Sequence, residues 1–462
     1  MSGVASPFFC LFLPSNSMIR SRVVIGSILV PVALLIGVFL TKKDDPQAKT
    51  ESSQIVSAEP LTADGKGSGK NGASKSHSVS ASSSEMVETE LVETGREIID
   101  GKMALGLVPL EKVTHRAVAN GMWSDPNVWG GRLPGPGARI HIPDGMKVTI
   151  DASGTPHLKS LRVDGELELA GNQDSLLHVD TLVINQSGSL FAGRLDAPVL
   201  TGVEVLLNLE SFPDPNASPE ERRNSALLVA LGEVSLHGAP KTGMSLLSEM
   251  PQAGQKQIVL SQSPQGWTAG DVVVLSGNLE TREDRPAFVV ESVNGNVVTL
   301  GSSDSEIEKW GGFETAFDVD RNQIGFVVNT TRNVAISSPP VDGPEVPNGS
   351  VVVGESGSAS LTQVGLYGLG VDDKLLEGQD SAVDRPAVAF EEGSKESIIS
   401  GAAIVNAPAS GVAVGTNPVI VENSVAYDAD GGGWVTESGS PSRLVWPSER
   451  AVPNIGAMGG GK

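Results

Sequence analysis

The sequence predicts a mostly β protein without long α-helices, and three observations carry that prediction. Glycine (54) and proline (29) are frequent enough to punctuate the chain with turns. Short runs alternate apolar and polar residues with a period of two, as half-buried strands do: Ile140 and Ile142 with Arg139 and His141, then Leu167 and Leu169 with Glu166 and Glu168. Beyond Asn329, short apolar runs recur at loosely regular intervals between small residues, Asn and Gly. That is the pattern of a parallel β-helix, whose coils bury their inward residues against the next coil. An antiparallel sandwich writes similar strings, so the pattern alone leaves both architectures open.

Composition narrows the function classes. With 33 basic against 55 acidic residues the formal charge is −22. Phosphate recognition relies on basic patches, so no nucleic-acid partner is expected and other polyanions are disfavoured. Cys10 is the sole cysteine, which rules out an intrachain disulfide and a cysteine-based zinc site. At 462 residues and 39% hydrophobic content, the chain has length for about three domains or for one long solenoid.

Taken in order, residues 1–22 read as a leader in which Met18 is an alternative start. Residues 23–40 carry no charge and approach the ~20 residues that cross a bilayer. Arg20 and Arg22 precede this run and Lys42 and Lys43 follow it, so the positive-inside rule sets no orientation. A cleaved signal peptide competes with an uncleaved anchor; no small-x-small cleavage site follows Leu40, which favours the anchor. Residues 41–113 are too polar to bury and read as a flexible linker, with a short helix at 85–99.

Strands begin near Thr114. Trp123 and Trp129 flank a turn-rich Ser-Asp-Pro-Asn, and Pro143-Asp144-Gly145 reads as a hairpin turn between Ile140/Ile142 and Val148/Ile150. Asp164-Gly165 and Ser187-Gly188 read as further turns between strands. A hairpin-like Asn294-Gly295-Asn296 stands between the apolar strands at 272–275 and 297–300. The expected divisions are a β domain at 114–200, a β-rich continuation at 201–330, parallel β-helix rungs at 331–440 and a tail at 441–462.

These residues resemble the G-eight domain family, which occurs in fibrocystin-like proteins and in vertebrate cell-surface hyaluronan-degrading proteins. The resemblance rests on Trp123, Trp129, Pro134, Gly137, Ile142-Pro143, Gly145 and Asp151, then on Gly165, Leu167, Gly188, Leu190 and Gly193. It continues through Ser235 to Thr242, the Trp267-Thr268-Ala269-Gly270-Asp271 segment, Arg332-Asn333-Val334 and the Val421 to Asp428 stretch. It implies a G-eight-like β domain packed onto a short right-handed parallel β-helix, outside the cytoplasm.

The resemblance also implies where chemistry would sit. In the hyaluronan-degrading relatives one rung carries two histidines; here Arg385-Pro386-Ala387-Val388-Ala389-Phe390-Glu391 aligns with it, with Ala389 and Glu391 at the histidine positions. Val388 and Phe390 still point inward. Gly432 replaces a further histidine after Tyr427-Asp428. Alanine and glycine can neither move a proton nor bind a metal. Glycosidic cleavage needs a positioned pair of groups; Glu391 could serve as a base but is one carboxylate, and the carboxylates that could pair are Asp428, Asp430 and Glu437, which otherwise read as solvated turn residues.

Other candidates are weaker. Six histidines exist (His77, His115, His141, His157, His178, His237), none in ligand-spaced order, so neither a metal nor another cofactor is expected. His141 falls on an outer face and reads as solvated. Asp372-Asp373 lacks the spaced oxygens of a calcium loop, and Gly431-Gly432-Gly433 precedes a strand, not the helix a phosphate loop requires. Trp123 and Trp129 can stack on sugar rings or close a core. Asn185, Asn216, Asn329 and Asn348 head glycosylation sequons.

The expectation is therefore a membrane-anchored, extracytoplasmic carbohydrate-binding or scaffolding protein that has lost catalysis. A hyaluronidase-like glycosidase or lyase is one alternative. A structural remnant of a longer β-helix, self-associating through its C-terminal sheet edge, is another.

Overall fold

The computed structural model describes residues 99–214, 216–249, 255–275, 287–301, 325–339, 348–371, 385–415, 417–430, 432–436 and 443–445. The expected leader, membrane anchor, most of the linker and most of the tail lie outside them. Among the described residues no helix is long and apolar enough to cross a membrane.

The described strands wind into a parallel β-helix with three faces. The second and third faces begin with β1 (His115–Arg116) and β2 (Gly121–Met122), followed by β3 (Arg139–Ile142) with β4 (Lys147–Ile150), and β5 (Leu158–Val163) with β6 (Glu166–Leu169). The long β7 (Ser175–Ile184) opens the first face. Its first half pairs with β9 (Val205–Leu209), and its second half pairs with β5 and with β10 (Leu227–Ala230). The third face continues through β8 (Ser189–Ala192) and β11 (Glu233–His237).

Four further coils follow on the same three faces. The first face adds β18 (Val334–Ser337), β21 (Val364–Tyr367), β24 (Ala403–Ala407) and β27 (Val425–Ala429). The second adds β19 (Ser350–Val353), β22 (Val388–Phe390), β25 (Val412–Val414) and β28 (Trp434–Thr436). The third adds β20 (Ser358–Thr362), β23 (Ser397–Ser400), β26 (Val419–Glu422) and β29 (Arg443–Val445). Every pairing is parallel and in register.

This register explains the alternation in the sequence. One residue in two points inward, and the inward residues of successive coils stack into one core running from Trp123 through Ile140, Leu161, Leu182, Leu228, Val351 and Phe390 to Val421. Each fully buried aliphatic side chain contributes about 1.5–3 kcal/mol relative to exposure, and no coil keeps that burial without its neighbour.

Two expectations change. The parallel β-helix starts at His115, not at residue 331, so the expected β domain is itself made of coils. The hairpin read at Pro143-Asp144-Gly145 is a corner: β3 and β4 lie on different faces and each pairs with the next coil. Asp164-Gly165 and Ser187-Gly188 are corners too. A Cβ on Gly165 would strike the carbonyls of Pro143 and Met146, and one on Gly188 would strike the Val163 carbonyl. Glycine is required there because backbone stacks directly on backbone.

Between β11 and β18 the chain leaves the helix to build an antiparallel sheet of β12 (Met244–Leu246), β13 (Gln257–Val259), β14 (Val272–Leu275), β15 (Ala287–Asn294), β16 (Val297–Gly301) and β17 (Phe326–Asn329). Asn294-Gly295-Asn296 does turn a hairpin, but between β15 and β16; β14 pairs on the other side of β15. The Trp267–Asp271 segment attaches this sheet. Trp267 fills its core and donates Nε1–H to the Thr242 carbonyl at 2.7 Å. Buried Asp271 accepts from Lys241 Nζ at 2.6 Å and Asn329 Nδ2 at 2.9 Å, which ties both ends of the excursion together. The sheet rests on the later coils of the first face, where Met244, Phe326 and Val328 meet Tyr367, Ala403 and Val425.

The last part of the expected flexible linker, from Ile99 on, is instead folded and packed against the coils. α1 (Gly101–Leu107) forms just beyond the segment where a helix was expected; residues 85–98 are outside the described set. Asp100 caps it, accepting from the Met103 N–H at 2.7 Å. Ile99, Ala104 and Val108 then cover the outer side of the second face, against Val183, Leu227, Val229, Val352 and Ala389.

Candidate functional site

The outer side of the first face is open over its early coils. Register places His178 beside Asn208, and Asn208 beside Ser337, whose hydroxyl donates to Asn208 Oδ1 at 2.5 Å. Leu158 pairs with Val179, so His157 stands beside His178 one coil earlier. His157, His178, Asn208 and Ser337 therefore form a half-exposed row along the helix axis, one residue per coil at the ~4.8 Å strand spacing. The row ends where Tyr367, next in register, passes beneath the antiparallel sheet.

The two imidazoles stack with centroids 3.9 Å apart and planes 7° from parallel, and Phe212 packs edge-on to His157 at 5.0 Å. Glu210, directly after β9, serves both rings. Its carbonyl accepts from His157 Nε2 at 2.9 Å, and its carboxylate Oε2 pairs with His178 Nε2 at 2.7 Å. A carbonyl can only accept, so the hydrogen-bond partner assigns the His157 proton to Nε2 and leaves Nδ1 with its lone pair. Burial lowers the pKa of His178, and the neighbouring His157 lowers it further, against the pull of Glu210. Both effects favour the uncharged form of the His178 ring.

Asp180 holds this region in place. It is fully buried and accepts from Lys159 Nζ at 2.6 Å, Thr181 Oγ1 at 2.8 Å, Phe212 N–H at 2.9 Å and Ala226 N–H at 3.1 Å. Four donors satisfy the buried charge, and two of them pin the loop that carries Phe212 and α2 (Pro219–Arg223).

The residues singled out from sequence fare differently. Trp123 and Trp129 are 4% and 6% exposed and meet edge to face at 4.8 Å; Trp129 Nε1–H bonds the Trp123 carbonyl. They close the first end of the core and leave no ring face for a sugar. Val388 and Phe390 point inward as expected. Ala389, expected at a histidine position of the resemblance, lies on the outer side of the same strand, 2% exposed in the cluster with α1. Glu391 is buried at the corner between the second and third faces, where its carbonyl accepts from Asn417 Nδ2 at 2.5 Å. Asp428 and Asp430 stand at a different corner, between the first and second faces. Asp428 takes φ +57° and Gly432 φ +98°, the latter a backbone that strains any histidine. The structure thus does not bring Glu391 together with Asp428 and Asp430. Glu437 and Asp372-Asp373 lie outside the described residues.

Other histidines also move from expectation. His141 is buried, not solvated: its Nε2 meets Asp164 Oδ2 at 2.8 Å, beside Arg162 Nε and Asn185 Nδ2 on Oδ1. Burial alone would raise the Asp164 carboxyl, but Arg162 and His141 outweigh it and hold it below its usual range. His237 Nε2 lies 2.9 Å from Ser235 Oγ, yet no group among the described residues meets its Nδ1. A serine–histidine pair without an orienting acid is not a hydrolytic triad. Of the sequons, Asn329 is fully buried and Asn185 is held by Asp164, while Asn216 is exposed.

The signal for the His157–His178 pair was available only through the coil period. The two residues are 21 positions apart, one turn of the solenoid, and Glu210 follows 32 further on. No short motif contains them. In space their ligand atoms all lie within 4.8 Å of one another, a set able to hold a metal ion.

The class defined so far is a three-faced parallel β-helix interrupted by an antiparallel sheet. Residues 128–248 match the family model of the G8 domain, which takes in all of β3 to β12 and the His157–His178–Glu210 cluster. Human fibrocystin-L is 25% identical over 184 residues, 38% of this chain but 4% of that protein's length. Among solved structures, the tailspike gp61 of Pseudomonas phage phi297 is 12% identical, with 61% of this chain and 42% of that one covered at TM-score 0.16. The gp49 tailspike of Pseudomonas phage LKA1 is 15% identical, with 67% and 42% covered at TM-score 0.18. The Gp54 tailspike of Acinetobacter baumannii phage AP22, solved with a capsular saccharide, is 13% identical, with 61% and 41% covered at TM-score 0.17. The fold assignment stands on this chain's own strand pairing.

Proposed function

We propose that this chain is a membrane-tethered, extracytoplasmic module that binds neutral carbohydrate along the open row of the first face and does not cleave it. The observation that carries this reading is the row itself. His157, His178, Asn208 and Ser337 present polar groups at a fixed repeat close to the length of one pyranose unit, with the edges of the stacked imidazoles at one end. A formal charge of −22 favours neutral over anionic glycans. The uncharged run at 23–40 supports the tether.

The second face supports the reading without catalysis. Ala389 is packed under α1, and Glu391 is separated by a full corner from Asp428 and Asp430. Glu391, Asp428 and Asp430 therefore do not supply the positioned pair that glycosidic cleavage uses. Full-length protein in detergent, applied to an array of neutral and acidic glycans, is expected to be retained on neutral chains. Asn208→Ala and Ser337→Ala should each weaken retention. Retention confined to acidic glycans, or unchanged by both variants, contradicts the proposal.

A further inference from the structure

We infer that His157, His178 and Glu210 form a binding site for one divalent ion of the zinc class. The set combines two imidazole nitrogens and one carboxylate oxygen, all within 4.8 Å. Zinc, nickel and copper take nitrogen and oxygen donors in this mixture, whereas calcium and magnesium require shells of oxygens. The site is open to entry: the side chains of His178 and Glu210 are 24% and 31% exposed. It is also framed, because Phe212 backs His157 and its own N–H is fixed by buried Asp180. With three protein ligands, a further coordination position faces solvent.

Binding changes the local arrangement in a defined way. His178 Nε2 and Glu210 Oε2, now 2.7 Å apart across a shared proton, exchange that hydrogen bond for the ion, and the ring proton moves by way of water from Nε2 to Nδ1 so that Nε2 offers its lone pair. His157 supplies the ring nitrogen that carries no proton. Parallel imidazoles point their in-plane lone pairs side by side, so one ring must turn to converge on the ion. The 3.9 Å stack is therefore broken in the metal-bound form.

The test is titration of the full-length protein with Zn²⁺ and Ca²⁺ by calorimetry, with NMR of the imidazole protons in parallel. One equivalent of Zn²⁺ should bind and shift the resonances of His157 and His178 together, and Ca²⁺ should leave them unmoved. His178→Gln and Glu210→Gln should each weaken Zn²⁺ binding by about tenfold or more, with the thermal unfolding midpoint reported to show that both variants fold. His115→Gln should leave the affinity unchanged. Zn²⁺ binding of equal strength in both site variants, resonances of the pair unmoved by Zn²⁺, or no binding to the parent chain overturns the inference. None of these results bears on glycan retention, which is read without metal.

Discussion

The outer sides of the first and second faces share one backbone and differ in what covers them. On the second face, Val183, Val229, Val352 and Ala389 form an apolar row that α1 seals with Ile99, Ala104 and Val108. On the first, the corresponding row is polar and half-exposed until the antiparallel sheet covers it at Tyr367. A parallel β-helix fixes the inward residues almost completely, because each coil stacks on the last. Its outward rows are free to be covered or left open, and here one of each is found. Ala389 belongs to the packing surface.

This contrast can be broken most strongly by placing a charge in the sealed row. Val229→Asp buries an unpaired carboxylate beneath α1, which costs at least about 3 kcal/mol; chemical denaturation should show most of the folded population lost. Placing a histidine in the same row with Ala389→His is milder. The imidazole overfills the space under α1 and strands a polar group, a loss of about 1–3 kcal/mol, and glycan chains incubated with the variant should keep their length.

A smaller effect comes with pH, through His237 on the third face. Burial lowers its pKa in the folded chain below 6.5, so the unfolded chain binds the proton more readily. The stability it supports is present above 6.5 and is lost as pH falls below that value. Thermal midpoints should drop between pH 7.5 and pH 5.5, and the slope should flatten in His237→Gln. The smallest effect belongs to the open row: Asn208→Asp keeps the acceptor that Ser337 uses, and stability should change by no more than about 0.5 kcal/mol.

Much of the fold was legible in the sequence, and the missing parts have physical reasons. Alternation of period two identified the strands and even the inward direction of Val388 and Phe390, because burial on one side of a strand writes itself directly into residue type. It could not separate a hairpin from a solenoid corner, since Asp164-Gly165 serves either: both require a turn, and only the partner strand differs. Trp267 and Asp271 were visible as a motif but not as the lock of a separate sheet. At the candidate site, Trp123 and Trp129 drew attention as aromatics, yet they belong to the core. His157, His178 and Glu210 went unnoticed because 21 and 32 residues separate neighbours that the coil period brings together. The change from Arg-Asn entry to buried anchor was likewise silent: Arg332 spans coils, donating Nε–H to the Gly401 carbonyl at 2.8 Å.

The central claim is that the open row holds a glycan and leaves it uncut. Incubating full-length protein with a neutral oligosaccharide, and following bound fraction and chain length in the same sample by mass spectrometry, addresses both halves at once. The account predicts saturable binding that Asn208→Ala weakens, with the oligosaccharide recovered at its starting length. Shortened products that disappear in Asp428→Ala, or binding indifferent to Asn208, would contradict it.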